Sequence, residues 1–422
     1  MRLPPPPEWS RRLLSVGVTG TNGKTSTTAL VASALRQLAP PVPRVTTVGA
    51  YLDEELLDLP QDYAGFVAAM QAGFERGARF AAVELTSEAL ALGFALAWPC
   101  QIGVFTNLTH DHLDAHGSPE HYLASKAQLF VQLPPGGSAV LNAFDPASAL
   151  LCEVVPPGVR IVRYGSRSRA PAAATTAGVS AQPAPPPTGV DLRAERVELG
   201  WQGTRLELDP AGELGASLAR EGVHAITLQA IGHVYAENAL AALGAALCAG
   251  VPGRLAAAGI AAAPRLSGRF EPVAERPHVV VDYAHSPDAL ARTLAAAREL
   301  CRGRLWVVFG AGGNRDQAKR PPMGQAASLA DRVVLTSDNP RDEDPAEIAA
   351  AIRAGIATGV DVELELDRAR AIRMAVLGAA ADDVVVVAGK GHETTQESHG
   401  ERRAFSDRQV VRAALGLDEG LA

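Results

Sequence analysis

The residues with the clearest chemical potential form a glycine-rich loop that ends in a lysine and two hydroxyl side chains. Residues 18–26 are Val-Thr-Gly-Thr-Asn-Gly-Lys-Thr-Ser, between a predicted strand over 14–19 and a predicted helix over 24–38. Backbone N–H groups in such a loop, together with the helix N-terminus, converge on phosphate oxygens. We therefore expect phosphate contacts from Gly20, Thr21, Asn22, Gly23, Lys24, Thr25 and Ser26.

Two side chains of this loop have defined expected tasks. Lys24 supplies positive charge to the β- and γ-phosphates, and the Thr25 hydroxyl can bind Mg²⁺. The strict phosphate-loop pattern has glycine where this chain has Val18, with Gly17 one place earlier. The alternative is a glycine turn with an incidental lysine, but the strand–loop–helix setting favours a phosphate loop.

Acidic and imidazole side chains follow the next predicted strands. Glu84 ends a strand over 80–85, and residues 106–114 follow a strand over 103–107. The carboxyl ends of parallel strands face the crevice where ligands bind, and Mg²⁺ prefers oxygen ligands. Glu84 and His112 could hold a second Mg²⁺, although Asp111 could equally cap the following helix. Lys126 lies on an amphipathic helix, where periodicity alone predicts a solvated lysine.

Composition restricts the partners and the compartment. The chain has 422 residues and a formal net charge of −7, so its charge does not favour binding to nucleic acid or an anionic membrane. Its 4 cysteines are far apart, which is typical of a reducing compartment. The proline-rich start lacks the apolar segment of a signal peptide, and residues 89–105 are too short to cross a bilayer. We therefore predict a cytoplasmic protein.

Alternating strand and helix patterns predict an α/β fold with a parallel sheet. Residues 190–208 resemble antiparallel strands added to that sheet, and 232–247 form an alanine-rich helix. Residues 168–187 are rich in Ala, Pro, Thr and Ser, which predicts a flexible insertion. A second, Rossmann-like unit begins near residue 268, with strands over 278–282, 305–310, 332–336 and 383–388. The predicted domains are 1–267 and 268–422.

The C-terminal half carries charged side chains of both signs. Arg315, Asp338, Asn339, Arg341 and Glu393 could together bind a zwitterionic amino acid with a further polar end. Arginine offers a bidentate grip on a carboxylate. The alternative for residues 338–341 is a simple turn, because Asn-Pro is a turn dipeptide.

These motifs, in this order, resemble the Mur ligase family, and most closely its MurE type, which adds the third residue of the peptidoglycan peptide. The phosphate loop resembles that family's loop, which also departs from the strict pattern. Residues 107–114 with Tyr122 and Lys126 are similar to its central motif, and residues 268–271 and 281–288 to its hinge and third-domain motifs. The resemblance covers nearly the whole chain.

The resemblance implies roles for individual residues. Thr25 and Glu84 would hold Mg²⁺ on the phosphates of ATP, His112 would help hold a second Mg²⁺, and Lys126 would react with CO₂ to form a carbamate that supplies oxygen ligands. The nucleotide itself would be contacted by Asn238, Arg269, Asp282 and His285. The catalytic set would be Lys24, His112, Lys126 and Arg269.

The resemblance also implies the reaction and its amine. A carboxylate would attack the γ-phosphate of ATP, giving ADP and an acyl phosphate, which an amine would then attack. Residues 338–341 resemble the version that selects meso-diaminopimelate, with Gly389 and Glu393 holding its distal end. We therefore expect diaminopimelate or a similar diamino acid as the amine.

The acceptor acid is less constrained, because the sequence departs from the family in three places. Only sixteen residues precede Gly17, so we expect no N-terminal domain for a uridine nucleotide. Residues 86–88 replace a Ser-Ser-His, and Leu92 and Phe94 stand where Gln and Arg are expected. The Thr-Thr-Pro loop is replaced around residues 59–61. We expect a changed acceptor, a smaller or nucleotide-free acid, or a partner chain that supplies acceptor binding.

Other functions stay open at this stage. Within the family these are glutamate addition to folate and amino acid addition to a peptide polymer. From another class, the chain could be an ATP-binding subunit or regulator without ligase activity. A kinase would have no task for residues 338–341 and 389–393.

Overall fold

The computed structural model describes residues 3–109, 118–166 and 189–417, which form two large β-sheets and their flanking helices. The first sheet has 11 strands in the order β11-β10-β9-β8-β7-β6-β1-β5-β2-β3-β4. These strands are β1 Leu14–Thr19, β2 Pro43–Thr46, β3 Gly49–Leu52, β4 Glu55–Leu57, β5 Phe80–Glu84, β6 Ile102–Phe105, β7 Ser138–Asn142, β8 Arg160–Ser166, β9 Leu192–Gly200, β10 Gly203–Leu208 and β11 Ala225–Leu228.

The middle of this sheet is parallel and its two ends are antiparallel. β1 lies between β5 and β6 and is parallel to both, while β9, β10 and β11 form an antiparallel series at one end. β2, β3 and β4 form the other antiparallel end. Because β1, β5 and β6 are parallel, their carboxyl ends deliver the phosphate loop, Glu84 and Thr106 to the same sheet edge.

Helices cover both faces of the first sheet. They are α1 Lys24–Arg36, α2 Tyr63–Glu75, α3 Ser87–Ala91, α4 Phe94–Ala97, α5 Pro119–Val131, α6 Ala147–Val154, α7 Glu213–Arg220, α8 His233–Cys248 and α9 Gly253–Ala262, with a 3₁₀ turn at Glu8–Arg12. Helix α1 packs against α8 and α9 on one face. The other face buries a cluster that includes Phe66, Met70, Trp98 and Phe130.

The second sheet has 6 strands in the order β12-β13-β17-β14-β15-β16. The strands are β12 Glu271–Glu275, β13 His278–Asp282, β14 Leu305–Phe309, β15 Arg332–Leu335, β16 Asp361–Leu364 and β17 Val384–Ala388. β12 is antiparallel to β13, and every other neighbouring pair in this sheet is parallel. Every side chain of β17 is buried, as expected for a parallel strand covered on both faces.

The helices of the second unit are α10 Pro287–Leu300, α11 Arg320–Ala327, α12 Pro345–Arg353, α13 Arg368–Gly378 and α14 Asp407–Ala414. A separate antiparallel hairpin is formed by β18 Thr395–Ser398 and β19 Glu401–Ala404. This hairpin contacts the turn at Arg341, whose carbonyl accepts a hydrogen bond of 2.7 Å from the His399 N–H.

The predicted α/β fold is confirmed, including the antiparallel addition over 190–208 and the second, largely parallel sheet. The strands of the first sheet end at Leu228 and those of the second begin at Glu271; the domain limits 1–267 and 268–422 stay a prediction. The predicted flexible insertion 168–187 and His112 lie outside the described residues. Within the described ranges, no helix is long and apolar enough to cross a membrane.

Candidate active site

The phosphate loop is held in shape by side chains that follow β6. The Asn107 side chain makes two bonds to the backbone of Asn22: its Oδ1 accepts from the N–H at 2.9 Å, and its Nδ2 donates to the carbonyl at 3.0 Å. The Thr106 hydroxyl donates to the same carbonyl at 2.7 Å. The loop conformation therefore depends on side chains that directly follow a neighbouring strand.

Gly23 begins α1 in a left-handed conformation, with φ of 85°. A Cβ atom at this position would lie 2.4 Å from Asn238 Oδ1, so glycine lets the loop approach α8 closely. Asn238 is buried, and its Nδ2 has no hydrogen-bond partner among the described residues. A buried donor of this kind is costly unless a ligand acceptor meets it, so this atom fits a nucleotide.

Oxygen atoms converge where α1 begins and β5 ends. The Thr25 hydroxyl donates to Glu84 Oε2 at 2.9 Å, and the Thr47 N–H donates to the same oxygen at 3.2 Å. A hydroxyl beside a carboxylate is the kind of donor set that Mg²⁺ prefers, so these residues fit the ion. Thr47 was not among the predicted site residues, although it directly follows the end of β2 at the same sheet edge.

Lys126 is buried, with 1% of the residue exposed, so the interpretation as a solvated helix lysine is wrong. Its Nζ donates to the carbonyl of Gly20 at 2.7 Å and lies 4.2 Å from the centre of the Tyr122 ring. The Tyr122 hydroxyl donates to Thr21 Oγ1 at 3.2 Å. Helix α5 therefore fixes this lysine against the phosphate loop.

One cavity of about 300 Å³ brings the predicted residues together. The first unit contributes Thr21, Asn22, Gly23, Lys24, Thr25, Ser26, Glu84, Lys126 and Asn238, and the second contributes Arg269, Asp282 and His285. We call this space the nucleotide cavity. Gly20 is connected to the cavity through its carbonyl, which accepts from Nζ of the lining residue Lys126.

Polar contacts join the two units around this cavity. Asn22 Nδ2 donates to Asp288 Oδ2 at 3.3 Å, and His233 Nε2 lies 2.7 Å from Glu299 Oε2. The Arg292 side chain connects Asp288 to Glu237 on α8, at 3.0 and 3.7 Å. Burial opposes the charge on Arg292, but these carboxylates outweigh it and raise its pKa. Arg292 was not among the predicted site residues.

Asp282 serves mainly to shape the wall of the nucleotide cavity. Its carboxylate accepts from the N–H groups of Phe270 and Ala284, at 2.6 and 2.9 Å, and from the Thr293 hydroxyl at 3.0 Å. Burial raises the pKa of this carboxyl despite these donors. The guanidinium of Arg269 stacks over the Tyr283 ring at 4.5 Å. Asp282 therefore positions the segment that carries Arg269.

The predicted amino acid residues form a second cluster in the C-terminal unit. Asn339 Nδ2 donates to Glu393 Oε2 at 3.0 Å, and Lys390 Nζ donates to both Asn339 Oδ1 and Glu393 Oε2, at 2.9 and 2.8 Å. A Cβ atom on Gly389 would lie 2.5 Å from Asp338 Oδ2, which explains glycine there. These contacts fix the turn that carries Arg341.

Two arginines flank the same turn. Arg341 Nη1 donates to the carbonyl of Gly313 at 2.7 Å, and Arg315 is exposed beside it. Both side chains come within 4 Å of the position that a Cβ atom on Gly312 would occupy. The cluster thus combines two guanidinium groups with the partly exposed carboxylate of Glu393.

The 4 lysines of the chain all lie around these two clusters. Lys24 and Lys126 line the nucleotide cavity, and Lys390 belongs to the amino acid cluster. The fourth, Lys319, donates to the carbonyl of His285 at 3.0 Å. Elsewhere the chain uses arginine for positive charge.

The sequence matches two family models: the Mur ligase middle domain over residues 18–246, and the Mur ligase glutamate ligase domain over residues 268–391. The chain belongs to the Mur ligase family. It is 40% identical over 410 residues to the UDP-N-acetylmuramoyl-L-alanyl-D-glutamate–2,6-diaminopimelate ligase of Ralstonia nicotianae, covering 95% of this chain and 75% of that protein. The Streptomyces coelicolor ligase of the same name is 38% identical, with coverages of 97% and 77%.

Solved Mur ligase structures agree with the fold. A UDP-N-acetylmuramoyl-L-alanyl-D-glutamate–2,6-diaminopimelate ligase structure is 32% identical, with a TM-score of 0.64, and the match covers 96% of this chain and 78% of that one. The Mycobacterium tuberculosis folylpolyglutamate synthase has a TM-score of 0.68 at 19% identity, a likeness of fold alone, over 98% of this chain and 92% of that one. The family resemblance drawn from the motifs is confirmed. The protein is an ATP-dependent ligase.

Proposed function

We propose that this Mur ligase adds diaminopimelate, or a similar diamino acid, to a carboxylate acceptor, as in MurE-type peptidoglycan precursor synthesis but with a changed acceptor, forming ADP and phosphate. The observation that carries the proposal is the meeting of Lys24, Glu84 and Lys126 around one cavity. A phosphate loop, a strand-end carboxylate and a buried lysine are the parts that activation of a carboxylate by ATP requires.

Each residue of the nucleotide cavity has a proposed part. The loop residues 20–26 bind the phosphates through backbone N–H groups, and Lys24 offsets their negative charge. Thr25 and Glu84 hold Mg²⁺, which would neutralise charge on the phosphate oxygens when bound. Asn238 meets the adenine with its buried Nδ2, and Arg269 and His285 close on the nucleotide from the second unit.

Lys126 is proposed to be carbamylated. Its amine, when neutral, attacks CO₂ and releases a proton, which converts a cation into a carboxylate with two oxygen atoms. A carbamate would provide oxygen ligands for a second Mg²⁺, to which His112 is also proposed to bind. The burial of Lys126 against the carbonyl of Gly20 supports this role, because a permanent buried cation would otherwise repel the ion.

The proposed reaction has two steps. A carboxylate oxygen of the acceptor forms a bond to the γ-phosphorus as the bond to the ADP oxygen breaks, which gives an acyl phosphate. The amine nitrogen then attacks the carbonyl carbon, inorganic phosphate leaves, and the nitrogen loses a proton. The contacts between the two units at Asp288 and Glu299 would exclude water, which would otherwise hydrolyse the intermediate.

The amino acid cluster supports a diamino acid as the amine. Arg315 and Arg341 can grip a carboxylate, while Asp338 and Glu393 can receive an ammonium group. Gly389 leaves room for the distal end beside Asp338. Arg341→Ala should raise the KM for diaminopimelate at least tenfold with little change in the KM for ATP. Arg353→Ala, an exposed arginine at the end of α12, is the matched control.

The decisive experiment measures ADP formation with and without each substrate. The proposal expects ADP only when acceptor, diaminopimelate and Mg²⁺ are all present. Lys126→Ala should abolish turnover, and short-chain carboxylic acids should restore part of it by replacing the carbamate oxygens. Gln128→Ala, an exposed position on the same helix, should remain active. Normal activity in the Lys126→Ala protein would contradict the carbamate.

An ATP-binding subunit or regulator without ligase activity is the competing function. It would bind ATP but form no amide with any acid and amine, and Lys126→Ala would leave nucleotide binding and regulation unchanged. ADP formation that needs no amine would instead indicate an ATPase or a kinase. Product mass separates these outcomes from ligation. We place the ligase in the cytoplasm, the compartment that supplies ATP, and a partner chain for acceptor binding stays a prediction.

A further inference from the structure

A second cavity, of about 360 Å³, shares the residues Thr47 and Glu84 with the nucleotide cavity. It lies between the end of β5, the loop after β4 and helices α2 to α4. We call it the acceptor pocket. Its size is within the range of small-molecule sites, and it adjoins the carboxylate proposed to hold Mg²⁺. An acid bound here would place its carboxylate beside the phosphates.

The wall of the acceptor pocket is mostly carbon. Three aromatic rings form one side: Phe66 and Phe94 have centroids 4.9 Å apart, and Tyr63 lies 5.9 and 5.8 Å from them. Leu59 and Leu92 also line the pocket, and Leu92 is 68% exposed at its edge. A wall of rings and leucines favours an apolar ligand group, because such a group is removed from water when it binds.

The charged groups around the acceptor pocket are both acidic. Of the described residues that line it, only Asp62 and Glu84 carry charge, and none is lysine, arginine or histidine. Asp62 Oδ1 accepts from the N–H of Gly65 at 2.8 Å and caps α2. A phosphate or diphosphate placed here would lose water, find no cationic side chain among the described lining residues and face the Asp62 carboxylate.

We propose that the acceptor pocket binds the uncharged, apolar body of the acceptor acid, and that this acid carries no phosphate next to that body. The inference rests on the proposed ligase function, because it assigns the pocket to the acid that the nucleotide cavity activates. The substrate class is a carboxylic acid with an aromatic ring or a short acyl chain near the reacting end. A pocket of this wall chemistry selects against a sugar diphosphate at the same position.

The test compares three acids that share one reacting end, with the whole chain, ATP, Mg²⁺ and diaminopimelate. They are N-benzoyl-L-alanyl-D-glutamate, N-acetyl-L-alanyl-D-glutamate and UDP-N-acetylmuramoyl-L-alanyl-D-glutamate. Burying the phenyl ring should raise kcat/KM for the benzoyl acid roughly ten- to hundredfold above the acetyl acid. The uridine-linked acid should be the poorest. If it is the best of the three, the inference is wrong although the ligase function stands.

Two exposed leucines provide a matched pair of variants. Leu92 lines the acceptor pocket, whereas Leu96 is 64% exposed on the adjacent helix and does not line it. Leu92→Arg should lower kcat/KM for the benzoyl acid roughly tenfold and improve the uridine-linked acid, because it adds a cation at the edge. Leu96→Arg should change neither. Equal effects of the two variants would overturn the inference.

Calorimetry with the benzoyl acid and ADP separates the two proposals. Binding that Leu92→Arg weakens, without turnover of any acid, would support the pocket and contradict the ligase function. If the benzoyl acid does not bind but the uridine-linked acid is turned over, the pocket assignment is wrong and the ligase function is supported.

Sedimentation tests whether a second copy of the chain occupies the pocket instead. A dimer that Leu92→Arg dissociates and Leu96→Arg does not would show that a second chain covers the pocket, and would overturn the inference.

Discussion

The two cavities that share Glu84 differ in the chemistry of their walls. In the nucleotide cavity, polar atoms are fixed by mutual hydrogen bonds, as Asn107 fixes Asn22, and both sheet units contribute walls. In the acceptor pocket, the wall is mostly rings and leucines, and all of the described lining residues belong to the first unit. Phosphate recognition needs charge and N–H groups at set positions, whereas an apolar group needs only removal from water.

This difference predicts how each side responds to substitution. A change in the nucleotide cavity should remove activity with every acid, because ATP is common to all of them. A change in the acceptor pocket should reorder the acids and leave the KM for ATP unaltered. Glu84 belongs to both walls, so it is the position at which the two responses should combine.

The largest effect is expected from Lys24→Ala. The loss of its charge at the β- and γ-phosphates should lower kcat for all acids by roughly a thousandfold or more. ADP formation under saturating substrates measures this loss. Arg36→Ala removes a partly exposed cation from the far end of the same helix and should remain within twofold of the parent. A reduced rate with only one acid would contradict the separation of the two cavities.

The next effect is expected from Glu84→Gln, which keeps the shape and removes the charge. Weaker Mg²⁺ binding should lower the rate roughly a hundredfold at ordinary Mg²⁺ concentration, and higher concentration should restore part of it. Rates measured across a Mg²⁺ titration show this. Glu75→Gln, an exposed carboxylate on α2, should give the parent curve. A Mg²⁺ dependence identical to that of the parent would remove Glu84 from the metal site.

Two glycines with the same backbone conformation give a finer test. Gly23 and Gly77 have φ of 85° and 88°, but a Cβ atom would meet Asn238 only at Gly23 and nothing within 4 Å at Gly77. Substitution by alanine should cost each about 1 kcal/mol of unfolding free energy. Only Gly23→Ala should raise the KM for ATP, roughly tenfold, by displacing Asn238. Denaturation midpoints and ATP titrations check the two parts, and equal KM values would contradict the close approach.

The smallest effect is expected from Leu59→Ala in the acceptor pocket. Loss of part of an apolar wall should raise the KM for the benzoyl acid a few-fold and leave the acetyl acid nearly unchanged. The KM for ATP in the same protein is the internal control. A parallel rise in the KM for ATP would show that the two cavities are not independent.

The sequence predicted which residues gather around the nucleotide cavity, because these residues are recognised by their types at fixed local spacing. The strand, loop and helix around Lys24 follow from a β-branched run, two glycines and an alanine-rich stretch, and Glu84 ends the predicted strand. The strand that was predicted over 103–107 ends at Phe105, two residues before its predicted end. The next two residues, Thr106 and Asn107, instead bond to the phosphate loop.

Other features depend on contacts between distant segments and had no local pattern. β7 and β8 were not predicted individually, although both are mostly buried strands of the first sheet. The burial of Lys126 contradicts helix periodicity, because α5 turns this residue toward the phosphate loop rather than to water. The bridge from Arg292 to Glu237 requires both units to be folded. The acceptor pocket likewise gathers apolar residues from several elements, none of which is unusual in its own segment.

The concentration of every lysine around the two proposed ligand sites makes amine acylation a direct probe of this enzyme. After hydroxylamine removes any thioesters and esters, an acyl group beyond the chain's N-terminal amine must lie on Lys24, Lys126, Lys319 or Lys390. The mass of the undigested protein therefore counts labelled site residues without peptide mapping. Protection by ATP should be visible as a shift in that mass distribution, and protection by diaminopimelate as a separate one.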